Sequence, residues 1–265
     1  MFHLSEKHIP ATLTCIFLLF ASTVTGQQLT DTVKLKATAF STINSLVFLP
    51  DDYRVTNTNY PVIIYLHGKS KSGNDISKLR LEGVPYWISR GKKIQARNPA
   101  DGKLYKFIVV SPQAPSWGLK PAEIERMLND VASRYRIDPK RIYITGYSAG
   151  GWATVMALTE KPALTARFAA AVPMSVATID DKNKKNFKMV ADAKVHCWYL
   201  AGEGEPHFME DCMKYVDSTN KYGPGLAKMT IVENFAHKSW ISLYDPANKH
   251  GIGMNIYEWM LQYRK

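Results

Sequence analysis

The sequence predicts an α/β fold, with a mainly parallel central sheet, antiparallel strands at its N-terminal side and helices on both faces. Three observations support this prediction. Short runs rich in β-branched and aromatic residues recur along the chain, helical patterns with one apolar face lie between them, and only a short turn separates the first two strand candidates. Because most strand candidates are apolar throughout, we expect both faces of the sheet to be covered.

The strand candidates follow one another along the whole chain. Val33–Thr38 and Thr42–Leu49 are the candidates for the antiparallel edge. The later candidates are Val62–Leu66, Phe107–Ser111, Ile142–Thr145, Phe168–Val172, Val195–Leu200 and Met229–Val232. Ligands of open α/β sheets bind at the carboxyl ends of the strands, so we expect functional residues in the loops that follow these runs.

Two segments have clear helical spacing. The first places Ile124, Met127, Leu128, Val131 and Tyr135 on one face, with Pro121 suited to its first turn. The last places Ile252, Ile256, Trp259, Met260 and Tyr263 on one face. These helices lie between or after strand candidates, as an α/β fold requires.

Residues 1–26 have the pattern of a signal peptide. Lys7 precedes a mostly apolar stretch from Ala11 to Ala21, and small or modest side chains lie before Gln27. That stretch is shorter than the ~20 residues of a membrane-spanning helix. We therefore expect cleavage near Gly26 and a single domain over residues 27–265. We also expect no membrane span in the mature chain, and a location that is exported, either periplasmic or secreted.

The composition is that of an ordinary globular protein, with 46% hydrophobic and 22% charged residues. The net charge of +11 favours anionic partners, but the basic residues are scattered and no nucleic-acid motif occurs, so we expect no nucleic-acid partner. No spacing resembles a zinc site and no nucleotide-binding loop is present. We therefore expect neither a metal nor another cofactor. Nothing in the sequence indicates the oligomeric state.

Two cysteines, Cys197 and Cys212, lie outside the predicted signal peptide. In an oxidising compartment such a pair can form a disulfide, and the alternative is two buried thiols. The sequence leaves both alternatives open.

A candidate nucleophile lies in the segment Gly146 to Gly151, which reads G-Y-S-A-G-G. It matches the G-x-S-x-G pattern in its required context, because a strand candidate precedes it and the apolar helical segment Trp152–Leu158 follows it. The glycines let the strand and the helix approach closely, while Ser148 occupies a strained turn. The backbone N–H of Ala149 is then expected to be one oxyanion donor, near the positive end of the helix.

A serine hydroxyl needs a base, and His237 is the best of the seven histidines. It follows the strand candidate Met229–Val232 and lies late in the chain, whereas His207 and His250 remain possible. The orienting acid is expected in the loop after Val195–Leu200. We favour Glu205 there, with Glu203 as the main alternative.

Asp211 is a weaker alternative for the acid. The second oxyanion donor is expected to be the backbone N–H of Lys69, in the loop after Val62–Leu66. Among the aromatic residues, Tyr147 and Trp117 are the candidates for substrate contact, because the first adjoins the nucleophile and the second lies after a strand end.

The chain resembles a family of α/β-hydrolase esterases. This family includes secreted polyhydroxybutyrate-depolymerase-like proteins, feruloyl and acetylxylan esterase-like proteins, and some predicted peptidases. The resemblance runs from about Leu49 to the C-terminus, and its matching segments are Tyr60 to Gly68, Val109 to Pro115, Tyr135 to Gly151, Phe168 to Pro173 and His237 to Trp240. It implies the α/β-hydrolase fold, with Ser148 as nucleophile and His237 as base.

The chain departs from that family at the acid. The family usually has His-Gly-x-x-Asp in this loop, whereas here Ala201 to Glu205 reads A-G-E-G-E. Aligning Gly202 with the family's glycine places Glu205 at the acid. Glutamate is one methylene longer than aspartate, so the loop is expected to be set differently.

The sequence thus predicts a serine hydrolase that cleaves carboxylic esters through an acyl-enzyme. The expected substrates are small-molecule esters or acyl and feruloyl esters linked to polysaccharides. The alternatives are a peptidase or lipase that uses the same triad, and a non-catalytic binding protein on a hydrolase scaffold.

Overall fold

The fold is built on one long mixed sheet, seen in a computed structural model that describes residues 29–237 and 239–265. The strands are β1 (Leu29–Lys36), β2 (Thr42–Leu49), β3 (Tyr60–Leu66), β4 (Gln95–Arg97), β5 (Leu104–Lys106), β6 (Ile108–Pro112), β7 (Ile137–Tyr147), β8 (Ala170–Met174), β9 (His196–Gly202) and β10 (Ala227–Val232). The described residues form an eight-stranded sheet in the order β1-β2-β6-β3-β7-β8-β9-β10, and β4 pairs with β5 separately.

The sheet is antiparallel at one edge and parallel elsewhere. Strand β2 pairs antiparallel with both β1 and β6, whereas the pairs from β6 through β3, β7, β8, β9 and β10 are all parallel. This confirms the predicted antiparallel N-terminal strands and the mainly parallel centre. Strand β7 lies between β3 and β8, so its carboxyl end opens at the middle of the sheet.

Helices cover both faces of the sheet. They are α1 (Gly83–Ser89), α2 (Pro121–Arg134), α3 (Ala149–Glu160), α4 (Pro162–Thr165), α5 (Asp181–Lys184), α6 (Phe187–Asp192), α7 (Pro206–Asn220) and α8 (Ile256–Leu261). Shorter 3-10 turns lie at Lys69–Lys71, Ile76–Leu81 and Ser239–Tyr244. One hydrophobic cluster contains side chains of α2, α3, α6 and α7, and a second contains those of α1 and α8.

Two predicted elements differ from the observed ones. Strand β8 begins two residues after the expected Phe168, whose side chain packs in the core ahead of the strand. The last helix begins at Ile256 and not at Ile252, which is exposed. Gly251 and Gly253 have φ of 68° and 79°, a backbone conformation that a helix does not adopt, so the helix begins after them.

Several other predictions concern the ends and the covalent state of the chain. Cys197 and Cys212 are both buried free thiols, which is the second of the two alternatives. The predicted signal peptide, residues 1–26, lies outside the described residues. Among the helices of the described ranges, none has the length and apolar character that crossing a membrane requires.

Candidate active site

Ser148 occupies a strained turn between β7 and α3. Its φ of 55° and ψ of −114° define a backbone conformation that residues other than glycine rarely adopt. A Cβ on Gly146 would lie 2.3 Å from the Gly150 carbonyl oxygen, and one on Gly150 would lie 2.0 Å from the Leu66 carbonyl oxygen. The local sequence folds this way because only glycine permits such close backbone approach, and the result projects the serine above the sheet.

The predicted triad residues come together at the carboxyl edge of the sheet. The Nε2 atom of His237 lies 3.2 Å from the Oγ of Ser148, and its Nδ1 atom forms a hydrogen bond with Oε1 of Glu205. Glu205 follows β9 and His237 follows β10, so three separate strands supply the three groups. The arrangement can move the serine proton to the imidazole and stabilise the resulting positive charge.

Of the three candidate acids, Glu205 is the one whose carboxylate contacts His237. Its carboxylate is buried, and Oε2 accepts hydrogen bonds from the Ser175 hydroxyl at 2.7 Å and the Gly202 N–H at 3.0 Å. Glu203 is exposed, and Asp211 instead accepts a hydrogen bond from Thr178 at 2.5 Å.

The hydrogen bonds around Glu205 also control its ionisation. Burial raises the pKa of the Glu205 carboxyl, but the hydrogen bonds from His237, Ser175 and Gly202 outweigh burial and hold the pKa below its usual value. Glu205 is therefore ionised near neutral pH, which is the form that orients an imidazole and stabilises its positive charge.

Two aromatic residues hold the His237 ring. Phe208 stacks on the imidazole, with ring centroids 4.7 Å apart and an interplanar angle of 14°. The Tyr147 ring lies 5.0 Å from the imidazole, and the Tyr147 hydroxyl donates a hydrogen bond to the His237 carbonyl. Tyr147, predicted as a substrate contact, therefore also positions the histidine loop.

The two predicted oxyanion donors lie at the starts of helical segments. Ala149 is the first residue of α3, where backbone N–H groups have no acceptor within the helix. Lys69 is the first residue of the 3-10 turn that follows β3. The preceding N–H, that of Gly68, already donates a hydrogen bond to Oε1 of Glu82 at 2.8 Å. The next N–H along the loop, that of Lys69, is therefore the candidate oxyanion donor.

A cleft of about 700 Å³ opens beside the nucleophile. Its lining residues are Gly68, Lys69, Ser70, Lys71, Trp117, Tyr147, Ser148 and His237. Both predicted substrate contacts, Tyr147 and Trp117, therefore face the same space as the nucleophile. The Lys69 ammonium lies 5.5 Å from the Trp117 ring centroid, which gives this wall of the cleft both an aromatic and a cationic character.

Three residues that contact the site were not foreseen from the sequence. They are Ser175, which donates to the acid, Phe208, which stacks on the histidine, and Glu82, which accepts from the oxyanion loop. The position of Phe208, three residues after the acid and on the first turn of α7, is a local signal that could have indicated it. Ser175 and Glu82 are distant in sequence from the residues they contact, and no pattern marks them.

Residues 29–237 and 239–265 contain no cluster of histidine, cysteine, aspartate and glutamate side chains suited to a metal ion.

Comparison with known proteins gives one family match. Residues 122–224 match the model of the prolyl oligopeptidase family. A comparison of the sequence with curated proteins finds no match. The matched segment includes α2 from its second residue, β7, the nucleophile turn and Glu205, but ends before His237.

Solved structures with a similar fold include both esterases and peptidases. A thermostable esterase is 24% identical with a TM-score of 0.65, over 90% of this chain and 64% of its own length. The feruloyl esterase module from Clostridium thermocellum, in complex with sinapinate, is 14% identical with a TM-score of 0.58, over 89% of this chain and 88% of its own. Dipeptidyl peptidase 4 from Porphyromonas gingivalis is 14% identical with a TM-score of 0.59, over 89% of this chain and 36% of its own.

These similarities establish the α/β-hydrolase fold. The chain spans less than two thirds of the thermostable esterase and about a third of the dipeptidyl peptidase. Together with the family match they support a serine hydrolase, without distinguishing an esterase from a peptidase.

Proposed function

We propose that this chain is an exported serine hydrolase that cleaves carboxylic esters through an acyl-enzyme. The observation that carries the proposal is the assembled Ser148-His237-Glu205 triad at the mouth of an open cleft. Export rests on the signal-peptide pattern of residues 1–26.

The reaction would begin with the transfer of the Ser148 proton to Nε2 of His237 as Oγ attacks the ester carbonyl. Glu205 would stabilise the imidazolium, and the N–H groups of Ala149 and Lys69 would donate to the tetrahedral oxyanion. His237 would then deliver the proton to the leaving alcohol. Water, deprotonated by the same histidine, would release the acid and regenerate Ser148.

The substrate proposal is an acyl or feruloyl ester, either small or linked to a polysaccharide. An aromatic wall formed by Trp117 and Tyr147 suits an aromatic acyl group or a sugar ring, because both present flat apolar faces. Lys69 and Lys71 line the same cleft and would favour an acidic glycan through their charge.

A peptidase is the second candidate, and the match of residues 122–224 to the prolyl oligopeptidase family favours it. The same triad would attack an amide carbonyl. The two candidates differ in the leaving group, because an amine must be protonated by His237 before it departs, whereas an activated phenolate leaves without this help. Amide and ester substrates with the same acyl group therefore distinguish them.

The test is hydrolysis of a short-chain nitrophenyl ester by residues 27–265, beside Ser148→Ala, with a chelator present throughout. We expect the variant to lose roughly 10³-fold or more of the activity while its circular dichroism spectrum is unchanged. A panel of feruloylated and acetylated glycans, together with the matched anilides, then identifies the acyl group and the leaving group.

Full activity in Ser148→Ala would refute the proposed mechanism. Cleavage of the anilides at rates near those of the esters would favour the peptidase. A folded protein that cleaves neither class would leave the binding-protein alternative, against which the assembled triad argues.

A further inference from the structure

Glu82 is a buried carboxylate next to the oxyanion loop, and the proposed mechanism does not use it. It lies just before α1 and is only 1% exposed. Its Oε1 atom accepts a hydrogen bond from the Gly68 N–H at 2.8 Å and another from the Tyr65 hydroxyl at 3.1 Å. Burying a carboxylate is costly, so its retention at this place needs a reason.

The carboxylate of Glu82 holds both ends of the turn that carries Lys69. Oε1 accepts from Gly68, at the start of the turn, and Oε2 lies 3.8 Å from the ammonium of Lys71, at its end. The Lys71 N–H donates to the Gly68 carbonyl at 3.0 Å and closes the turn between these points. The Lys69 N–H, the proposed oxyanion donor, lies between two groups held by one side chain.

We propose that Glu82 is a positioning residue for the oxyanion hole, which in its ionised form holds the Gly68–Lys71 turn in the geometry that catalysis requires. The inference rests on the proposed function. A displaced donor weakens transition-state stabilisation more than substrate binding, because the oxyanion exists only in the transition state. Protonation of Glu82 removes its attraction to Lys71 and loosens one end of the turn.

The surroundings of Glu82 place this change within an accessible pH range. Burial raises the pKa of Glu82 to about 7, against the lowering effects of the Gly68 N–H and Lys71. The Tyr65 hydroxyl donates to the carboxylate, and the charge of Glu82 also acts on Tyr147 and Tyr244. Burial, with this charge, raises the pKa of each tyrosine above its usual range, so all three stay neutral.

Lys71 is thus the charged partner of Glu82 among the described residues. The direction of the pH dependence of the turn follows from these groups. The turn is held at pH values above about 7 and is loosened as the pH falls below it.

The first test reads the turn directly and does not need catalytic activity. The ¹⁵N–¹H shift of the Gly68 amide is followed from pH 5 to 9 in the folded chain and in Glu82→Gln. We expect a titration with a midpoint near 7 in the parent protein and no such titration in the variant. A flat Gly68 shift in the parent protein, or the same titration in both, would overturn the proposal.

The second test is kinetic and uses a neutral nitrophenyl ester, so that substrate charge does not enter. Glu82→Gln should lower kcat by about tenfold to a hundredfold with KM within about twofold, and the acid limb of its kcat/KM profile should become less steep. The control is Glu210→Gln, which removes the same charge from an exposed position on α7. It should change neither kcat nor the acid limb of the kcat/KM profile.

Outcomes of the kinetic test separate the two proposals. A kcat of Glu82→Gln within twofold of the parent protein would contradict the positioning role while leaving the esterase function intact. If the parent protein cleaves no ester, the esterase function fails, and the Gly68 titration still decides the role of Glu82. Glu82→Asp, which keeps the charge on a shorter side chain, should recover part of the lost kcat and retain a titrating Gly68 amide.

Discussion

Ser148 and His237 are held in place by different kinds of interaction. Ser148 follows the central strand β7, and the glycines around it contact the backbones of β3 and α3 at distances that no side chain could tolerate. His237 follows the edge strand β10, whose residues are mostly partly exposed. One side of the active site is set by main-chain packing in the core, and the other by side-chain contacts at the edge of the sheet.

The histidine side depends on a few specific contacts. Phe208 stacks on the ring, Tyr147 donates to the backbone carbonyl of His237, and Glu205 accepts from the ring. Glu205 is in turn held by Ser175 and the Gly202 N–H. Substitution of the glycines around Ser148 should therefore affect folding, whereas mutations on the histidine side should affect catalysis in a folded protein.

Gly150→Ala tests most severely whether main-chain packing sets the position of Ser148. The new Cβ would lie 2.0 Å from the Leu66 carbonyl oxygen and 2.5 Å from its carbon, both backbone atoms of the central sheet. We expect a loss of about 4 kcal/mol or more in the free energy of unfolding, measured by urea denaturation, or failure to fold.

Gly68→Ala is the matched control for this substitution. Its Cβ would lie 3.4 Å from the Tyr147 ring, an ordinary contact, and the φ of −71° suits alanine. Its free energy of unfolding should stay within about 1 kcal/mol of the parent value. Equal stability of the two variants would show that the nucleophile turn is not set by main-chain packing.

The second prediction concerns the acid on the histidine side. Glu205→Gln should lower kcat roughly 10⁴-fold while the protein remains folded, because a neutral amide no longer stabilises the imidazolium or enforces its tautomer. Steady-state hydrolysis of a nitrophenyl ester measures the change. Glu203→Gln, in the same loop but exposed, should keep its rate, and the reverse ranking of the two variants would transfer the role to Glu203.

The smallest expected effect is that of Phe208→Ala. The stack of Phe208 on the imidazole corresponds to about 0.5–1.5 kcal/mol, so kcat should fall by about twofold to tenfold without loss of folding. Phe208→Tyr retains the ring at a partly exposed position and should stay near the parent rate. If both variants keep full activity, the contacts of Glu205 and Tyr147 suffice to hold His237.

Much of the sheet could be predicted because its strands are apolar on both sides. The antiparallel N-terminal edge and the parallel centre were both expected and are both present. The errors lie at element ends, where local geometry decides: β8 begins later than Phe168, and α8 begins only after the positive φ values of Gly251 and Gly253. The β4–β5 pair and the short helices α4 to α6 have too few residues for a clear periodic pattern.

The strand–turn–helix around Ser148 and the candidate base His237 could both be predicted from the amino-acid sequence. The turn at Ser148 is specified by consecutive residues, because close backbone approach requires glycine at particular positions. Three-dimensional packing, in contrast, brings Glu205 and not Glu203 to the histidine, and it brings Ser175, Phe208 and Glu82 to the site. Those contacts depend on where side chains from distant loops point once the sheet brings them together, and no local pattern specifies that direction.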